Sequence, residues 1–196
     1  MRVLVVQAHP HPGSFNHAIC EAAVEALQAN GHVVDRFDLY AEGFAAAMSE
    51  AERLAYESDQ PILSEHVRRH AALVTRADAM VFVYPTWWFG LPAVLKGWLD
   101  RVMVPGVAFR LDRKTNKVKR GLTNVRRIAG ITTYGSSRRN VALMSDGGRR
   151  TIGRCVRLMA HTRCRRTWLG MYGMDRSSDA DRKMFLERVA KVLGTW

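Results

Sequence analysis

The chain has 196 residues, 47% of them hydrophobic. That is enough apolar content for one cored domain spanning residues 1–196 and too much for a disordered polymer. The formal net charge of +12 is unevenly placed: residues 1–100 carry seven basic and twelve acidic side chains, whereas residues 101–196 carry twenty-three and six. No apolar run approaches the roughly 18 to 20 residues needed to span a bilayer, so the chain reads as not integral to a membrane. Val3 to Val6 is shorter than the roughly 7 to 15 residue core of a signal peptide, and the expected location is cytoplasmic.

In chain order, Arg2 to Ala8 reads as a first strand, followed by a Pro- and Gly-containing loop, His9 to Ser14. Ser14 can cap a helix whose small face (Ala18, Ala22, Ala26) suits close packing on a sheet and which stops at Asn30-Gly31. His32 to Phe37 is the second strand, and the spacing is that of a right-handed βαβ unit. Leu39 to Arg76 is less regular; Ser49 and Glu52 have capping-box spacing, and Ser64 to Thr75 is amphipathic. Ala79 to Tyr84 is a continuous apolar strand of the kind buried on both faces of a parallel sheet. Pro92 opens a helix with the stripe Leu91, Leu95, Trp98 and Val102. Val107 to Arg110 and Lys117 to Arg120 flank the turn-rich segment 112–116, a basic hairpin or lid. Val125 to Thr133 is the fourth long strand, Thr151 to Ala160 a helix, Thr167 to Tyr172 the fifth strand, and Asp179 to Leu193 a final helix capped by Ser177 or Ser178. This alternation predicts an α/β fold, a three-layer α/β/α sandwich around a five-stranded parallel sheet of order 2-1-3-4-5.

Trp87, Trp88 and Phe89 are the most informative residues, because a strand has two faces and three adjacent large aromatics cannot all enter one core layer. In an open α/β sheet the loops after strands one, three and four share one rim, where ligands bind. The first of these loops brings Ser14, Phe15, Asn16 and His17 to a helix start, a place for phosphate. The second brings a flat stacking surface, and the third, Thr132 to Ser137, brings hydroxyls and Gly135. Phosphate donors, a stacking wall and polar edge readers together describe a flavin site.

Neither G-x-x-x-x-G-K-[ST] nor G-x-G-x-x-G occurs, which argues against triphosphatases and Rossmann dehydrogenases. His66 and His70 have metal-ligand spacing with no visible third ligand, so they read as an exposed helix face and no metal is expected. His9 and His11 offer phosphate partners or mere loop polarity, and Ser14 either caps the helix or contacts the ligand. Cys20, Cys155 and Cys164 lack paired spacing and read as buried reduced thiols. The arginine-rich second half attracts anions, but few aromatics interleave it, so no specific nucleic acid is expected.

The motifs A-H-x(4)-S-F-N from Ala8 to Asn16 and P-x-x-W-F-G-x-P-A-x-L-K-G-W from Pro85 to Trp98 resemble those of the NAD(P)H:quinone oxidoreductase family, as do Asp100 to Phe109 and the Thr132-Thr133 pair. The resemblance covers roughly residues 2–135 and includes the diaphorase-type quinone reductases and the potassium-efflux ancillary oxidoreductases. It implies a flavodoxin-like fold, a homodimer, bound FAD or alternatively FMN, NAD(P)H as co-substrate, and a quinone or similar flat acceptor. Carried over residue by residue, His9, Phe15 and Asn16 hold the phosphate, with Ser14 beside them. Pro85, Thr86, Trp87, Trp88 and Phe89 hold the isoalloxazine ring, and Thr132, Thr133 and Gly135 its polar edge. The family's Tyr and His beyond the Thr-Thr loop align with Asn140 and Asp146 by ungapped counting, so that relay does not transfer. Tyr134 takes the catalytic place, with Arg138 as a cationic alternative near the flavin N1–C2 carbonyl. A rival from another class is a regulatory flavoprotein docked on a membrane protein.

Overall fold

The computed structural model describes all residues except Asp59, Arg113 and Asn116. The long elements follow the apolar pattern. Strand β1 (Arg2–Gln7) leads into helix α1 (Phe15–Ala29) and strand β2 (Val33–Asp38). Helices α2 (Glu50–Ala55) and α3 (Glu65–Arg76) precede strand β3 (Ala79–Pro85) and helix α4 (Ala93–Val102). The hairpin strands β4 (Phe109–Asp112) and β5 (Lys117–Arg120) pair with each other; the turn expected between them includes Arg113 and Asn116 and so lies partly outside the described residues. Strand β6 (Arg127–Tyr134), short helices α5 (Arg138–Leu143) and α6 (Gly147–Arg150), a π-helical stretch Thr151–Val156, α7 (Arg157–Met159), strand β7 (Arg165–Tyr172) and helix α8 (Asp179–Leu193) complete the order.

The main sheet is parallel throughout, in the order β2-β1-β3-β6-β7. Setting the hairpin strands aside, this is the expected 2-1-3-4-5 order. Strand β3 is buried along its whole length because helices cover both faces. On one face β1, β3 and β6 turn Val3, Val5, Val81, Val83, Ala129 and Ile131 toward α1 and α8; on the other, Leu4, Val6, Met80 and Phe82 meet α3 and α4. The side-chain period of two along a strand produces this partition.

Three local expectations are corrected. The helix foreseen over Thr151 to Ala160 starts earlier, at Gly147, because the Asp146 carboxylate caps it by accepting from the Arg149 N–H at 3.1 Å, and its middle is π-helical. Cys155 is exposed, because the buried side of that helix runs through Ile152, Gly153 and Val156; Cys20 and Cys164 are buried, and all three thiols are free. His66 and His70 do not form an exposed face. His70 is fully buried, stacked on Phe37 with ring centroids 3.7 Å apart.

Segment 39–76 is held to α4 by an ion pair from Glu52 to Arg101. The Ser49–Glu52 capping box is present as expected, and Glu52 accepts from Arg101 at 2.6 Å and 3.1 Å in a pair that is only about a tenth exposed. Beside it, Gly97 faces the backbone of Ala46 so closely that a Cβ there would lie 2.1 Å from the Ala46 carbonyl oxygen.

Candidate active site

The parallel register places the carboxyl ends of β1, β3 and β6 side by side, and three loops leave from that edge. Hydrogen bonds stitch them together. Ala8 N–H donates to the Val83 carbonyl at 3.0 Å, Thr86 N–H to the Thr133 carbonyl at 2.8 Å, and the Asn16 amide to Thr133 Oγ1 at 2.9 Å. Thr86 and Thr132 share a hydroxyl hydrogen bond of 2.8 Å. The sequence-expected residues Asn16, Pro85, Thr86, Thr132 and Thr133 therefore stand within one bonded rim.

At the first loop, Ser14 caps α1, its hydroxyl oxygen accepting from the His17 N–H at 3.2 Å. The cap uses a lone pair, so the hydroxyl hydrogen remains free to donate. The first turn of any helix leaves its N–H groups without intrahelical partners, and here those of Phe15 and Asn16 sit at the rim. The Phe15 ring itself packs on Phe185 of α8, at 6.2 Å between centroids, so its backbone rather than its side chain faces the rim. Asn16 is buried, and its Oδ1 has no partner. His9 leans toward Trp87, centroids 6.2 Å apart, and its Nδ1 lies 3.1 Å from the His11 backbone nitrogen and 3.2 Å from the His11 carbonyl oxygen. Partial burial lowers the His9 pKa, which favours the neutral ring. His11 is exposed, its side chain lying over Gly13.

The aromatic turn is the exposed wall. Trp88 is 99% exposed and Trp87 42%, while Phe89 is half-buried. Trp88 and Phe89 have φ of 48° and 55°, left-handed backbone that costs a non-glycine residue about 1 to 2 kcal/mol. Across from them, Ser145 and Asp146 have φ of 64° and 39°, and among the described residues these four are the only non-glycines in that region. The two strained turns are joined: Gly147 N–H donates to the Phe89 carbonyl at 2.9 Å. Strain concentrated in two interlocked loops is characteristic of functional sites.

Behind the wall lies a buried polar cluster. Tyr134 is 1% exposed and stacked on Tyr172 at 4.6 Å; its hydroxyl donates to Asp146 Oδ2 at 2.7 Å and accepts from Trp168 Nε1 at 3.3 Å. Burial, then the Asp146 carboxylate, raises the Tyr134 pKa far above its ordinary value. The Tyr84 hydroxyl is buried without a partner, and a Cβ on Gly148 would come within 2.6 Å of it. Gly135 leaves room for the Asp175 carboxylate, which would lie 2.6 Å from a Cβ there. Arg138 is exposed at the start of α5.

Sequence reasoning missed Asp146 as the hub of the second turn. The signal was Ser145-Asp146-Gly147-Gly148, a turn tetrapeptide with an N-cap residue in it. It also missed the carboxylate beside the histidines: Glu42, His66 and His70 lie together, with ligand atoms within 4.8 Å of one another. Hydrogen bonding opposes a metal there. Trp98 Nε1–H can only donate, and it donates to His70 Nδ1 at 2.9 Å, so the neutral ring carries its hydrogen on Nε2, facing Glu42 Oε2 at 3.4 Å. Glu42 is further engaged by Arg69.

Known proteins share this architecture. The family described as "Flavodoxin-like fold" matches residues 1–184. The chain belongs to that family. Among curated relatives, NAD(P)H dehydrogenase [quinone] 1 of Cavia porcellus is 35% identical over 150 residues, covering 69% of this chain and 54% of the relative. An uncharacterized NAD(P)H oxidoreductase of Haemophilus influenzae is 33% identical over 138 residues, covering 70% and 66%. The chain thus spans about half the length of the quinone dehydrogenases it matches. Among solved structures, the NAD(P)H:quinone oxidoreductase of Methanothermobacter marburgensis superposes with a TM-score of 0.79 at 28% identity over 100% of this chain and 95% of the other. The names of these relatives agree with the quinone-oxidoreductase resemblance of the sequence motifs.

Proposed function

We propose that the protein is a flavin-dependent NAD(P)H:quinone oxidoreductase. The observation that carries this is the solvent-exposed Trp87-Trp88 wall, with Trp88 and Phe89 in costly left-handed backbone, opposite a helix start that offers the N–H groups of Phe15 and Asn16 and the unpartnered Asn16 Oδ1. These residues fit a flavin phosphate at the Ser14 to Asn16 end and a flat ring at the aromatic turn. When bound, the flavin supplies the hydride-transfer chemistry. We assign the phosphate to His9, the Ser14 hydroxyl and the N–H groups of Phe15 and Asn16. Pro85 to Phe89 take the ring, and Thr132, Thr133 and Gly135 its polar edge.

The protein's share is orientation and exclusion of water, with NAD(P)H and then a quinone using the aromatic wall in turn. The Tyr134 hydroxyl hydrogen is already committed to Asp146, so the role we propose for Tyr134 is to hold Asp146, and through it the turn that grips Phe89, in place. The homodimer implied by the family resemblance belongs to this proposal; an apolar hollow of about 330 Å³ lined by Leu99, Met103, Phe109 and Met159 is a surface such an association would bury. A solved neighbour of this fold from Bacillus anthracis holds FMN, and we take FMN ahead of FAD as the form to test first.

The test is optical. Purified protein should carry the absorbance of oxidised flavin, bleached by NADH or NADPH and restored by a quinone, and the mass of the released cofactor separates FMN from FAD. Parallel double-reciprocal lines on varying the acceptor are expected for one shared place. Colourless protein that takes up neither cofactor would overturn the proposal.

A further inference from the structure

The second half of the chain carries a charge field that the flavin site does not use. From Lys114 to Met174 the sequence has one carboxylate, Asp146, and that one is engaged by Tyr134 and the Arg149 N–H. The arginines of this stretch are gathered. Arg154, Arg157, Arg163, Arg165 and Arg166 line one open groove of about 990 Å³, and Arg149, Arg150, Arg154 and Arg166 line an adjoining hollow of about 480 Å³. The two share Arg154 and Arg166, so they form one continuous surface along the π-helical stretch and the start of edge strand β7. Among the described residues, none of these arginines lies within ion-pair distance of a carboxylate. Their few bonds, Arg157 to the Cys164 carbonyl and Arg166 to the Gly153 carbonyl, fix the stems and leave most N–H donors outward.

We propose that this arginine surface docks the protein on an anionic lipid bilayer. Guanidinium groups bind phosphate through paired N–H donors, and a cluster of them raises the local concentration of any phosphate-bearing surface. The second feature selects lipid over a nucleic acid. Large aliphatic side chains project around the arginines: Leu158, 58% exposed, lies within the groove, and Leu143 and Met144, 80% and 54% exposed, stand at the end of α5 next to the Ala142 and Ser145 lining of the hollow. Such side chains gain free energy by entering the acyl boundary beneath phosphate headgroups. No aromatic side chain lines either hollow, so the stacking platform of a single-strand binder is missing from this surface. Trp168 sits under the Arg149 guanidinium, centroid 5.9 Å away, and is half-buried. Contact of this surface with its own symmetry copy across a two-fold axis would set arginine on arginine, which disfavours it as the centre of an isologous dimer.

Cosedimentation with vesicles tests this without reference to flavin or turnover. The protein should partition onto phosphatidylcholine vesicles containing phosphatidylglycerol, not onto phosphatidylcholine alone, with binding weakened by salt. Arg157→Ala, Arg163→Ala and Arg165→Ala together should lower the partition on the order of a hundredfold, about fivefold per charge. Leu143→Ser with Leu158→Ser should weaken it at every salt concentration, with far-ultraviolet circular dichroism unchanged. Partition indifferent to the arginine substitutions would overturn the proposal. So would retention on duplex or single-stranded nucleic acid in place of vesicles, or binding to vesicles that the two serine substitutions leave intact.

Discussion

Replacing Trp88 separates what the aromatic wall costs from what it does. At 99% exposure the side chain buries almost nothing, so Trp88→Ala removes no core contact and leaves the left-handed backbone strain in place. The cofactor-free protein should therefore keep its urea midpoint within about 0.5 kcal/mol of wild type, as surface substitutions do. Trp88→Gly should do more. At φ 48° glycine escapes a strain of about 1 to 2 kcal/mol, while its freedom in the unfolded chain returns about 0.4 to 1 kcal/mol. The net is a cofactor-free protein more stable by up to about 1.6 kcal/mol. Both variants should bind added FMN or FAD more weakly, by about 0.5 to 1.5 kcal/mol of stacking beyond area burial, or roughly twofold to tenfold in Kd. Urea unfolding of the stripped protein and quenching of flavin fluorescence read the two quantities independently. A Trp88→Ala protein that loses more than about 1 kcal/mol of stability, or one that binds flavin unchanged, would refute an exposed residue kept for stacking.

Asp146→Ala should cost about 3 to 5 kcal/mol in urea unfolding, from a charged hydrogen-bond acceptor, a helix cap and left-handed backbone that Ala tolerates poorly. Asp146→Asn keeps cap and backbone and should cost about 1 kcal/mol; equal losses in the two variants would show that the cap and the turn are irrelevant. His70 is held neutral, its pKa lowered to about 3 by burial first and then by the neighbouring His66 and Arg69. The unfolded chain then binds the extra proton below about pH 6.5, so stability should fall as pH drops from there toward 3, with this residue adding up to about 1.4 kcal/mol per pH unit. A His70→Gln variant should flatten that slope in pH-dependent unfolding, and an unchanged slope would assign the acid sensitivity elsewhere. Gly97→Ala drives a Cβ to 2.1 Å from a backbone carbonyl and should prevent soluble expression or cost more than about 3 kcal/mol, measured as lost yield and lowered Tm.

The legible part of this protein was what local rules decide. Apolar runs at strand spacing, Ser14 and Ser178 before helical periods, and Asn30-Gly31 after one placed every main-sheet strand and the longest helices, because caps and periodicity act within a few residues. Trp87 to Phe89 stood out for a local reason too, since no single core layer accepts three adjacent aromatics. Contacts across the fold decided the remainder. His66 and His70 looked like a solvent face because their spacing says nothing of Phe37 and Trp98, which arrive from β2 and α4 to bury one of them. Tyr134 looked available to the flavin N1–C2 edge until Asp146, twelve residues on, and Trp168, from the neighbouring strand, took both sides of its hydroxyl. Nor does any local pattern show that the two strained turns are tied through Gly147 and Phe89, or that scattered arginines share one surface. Burial and hydrogen-bond partners depend on which elements become neighbours, and that is settled only when the sheet assembles.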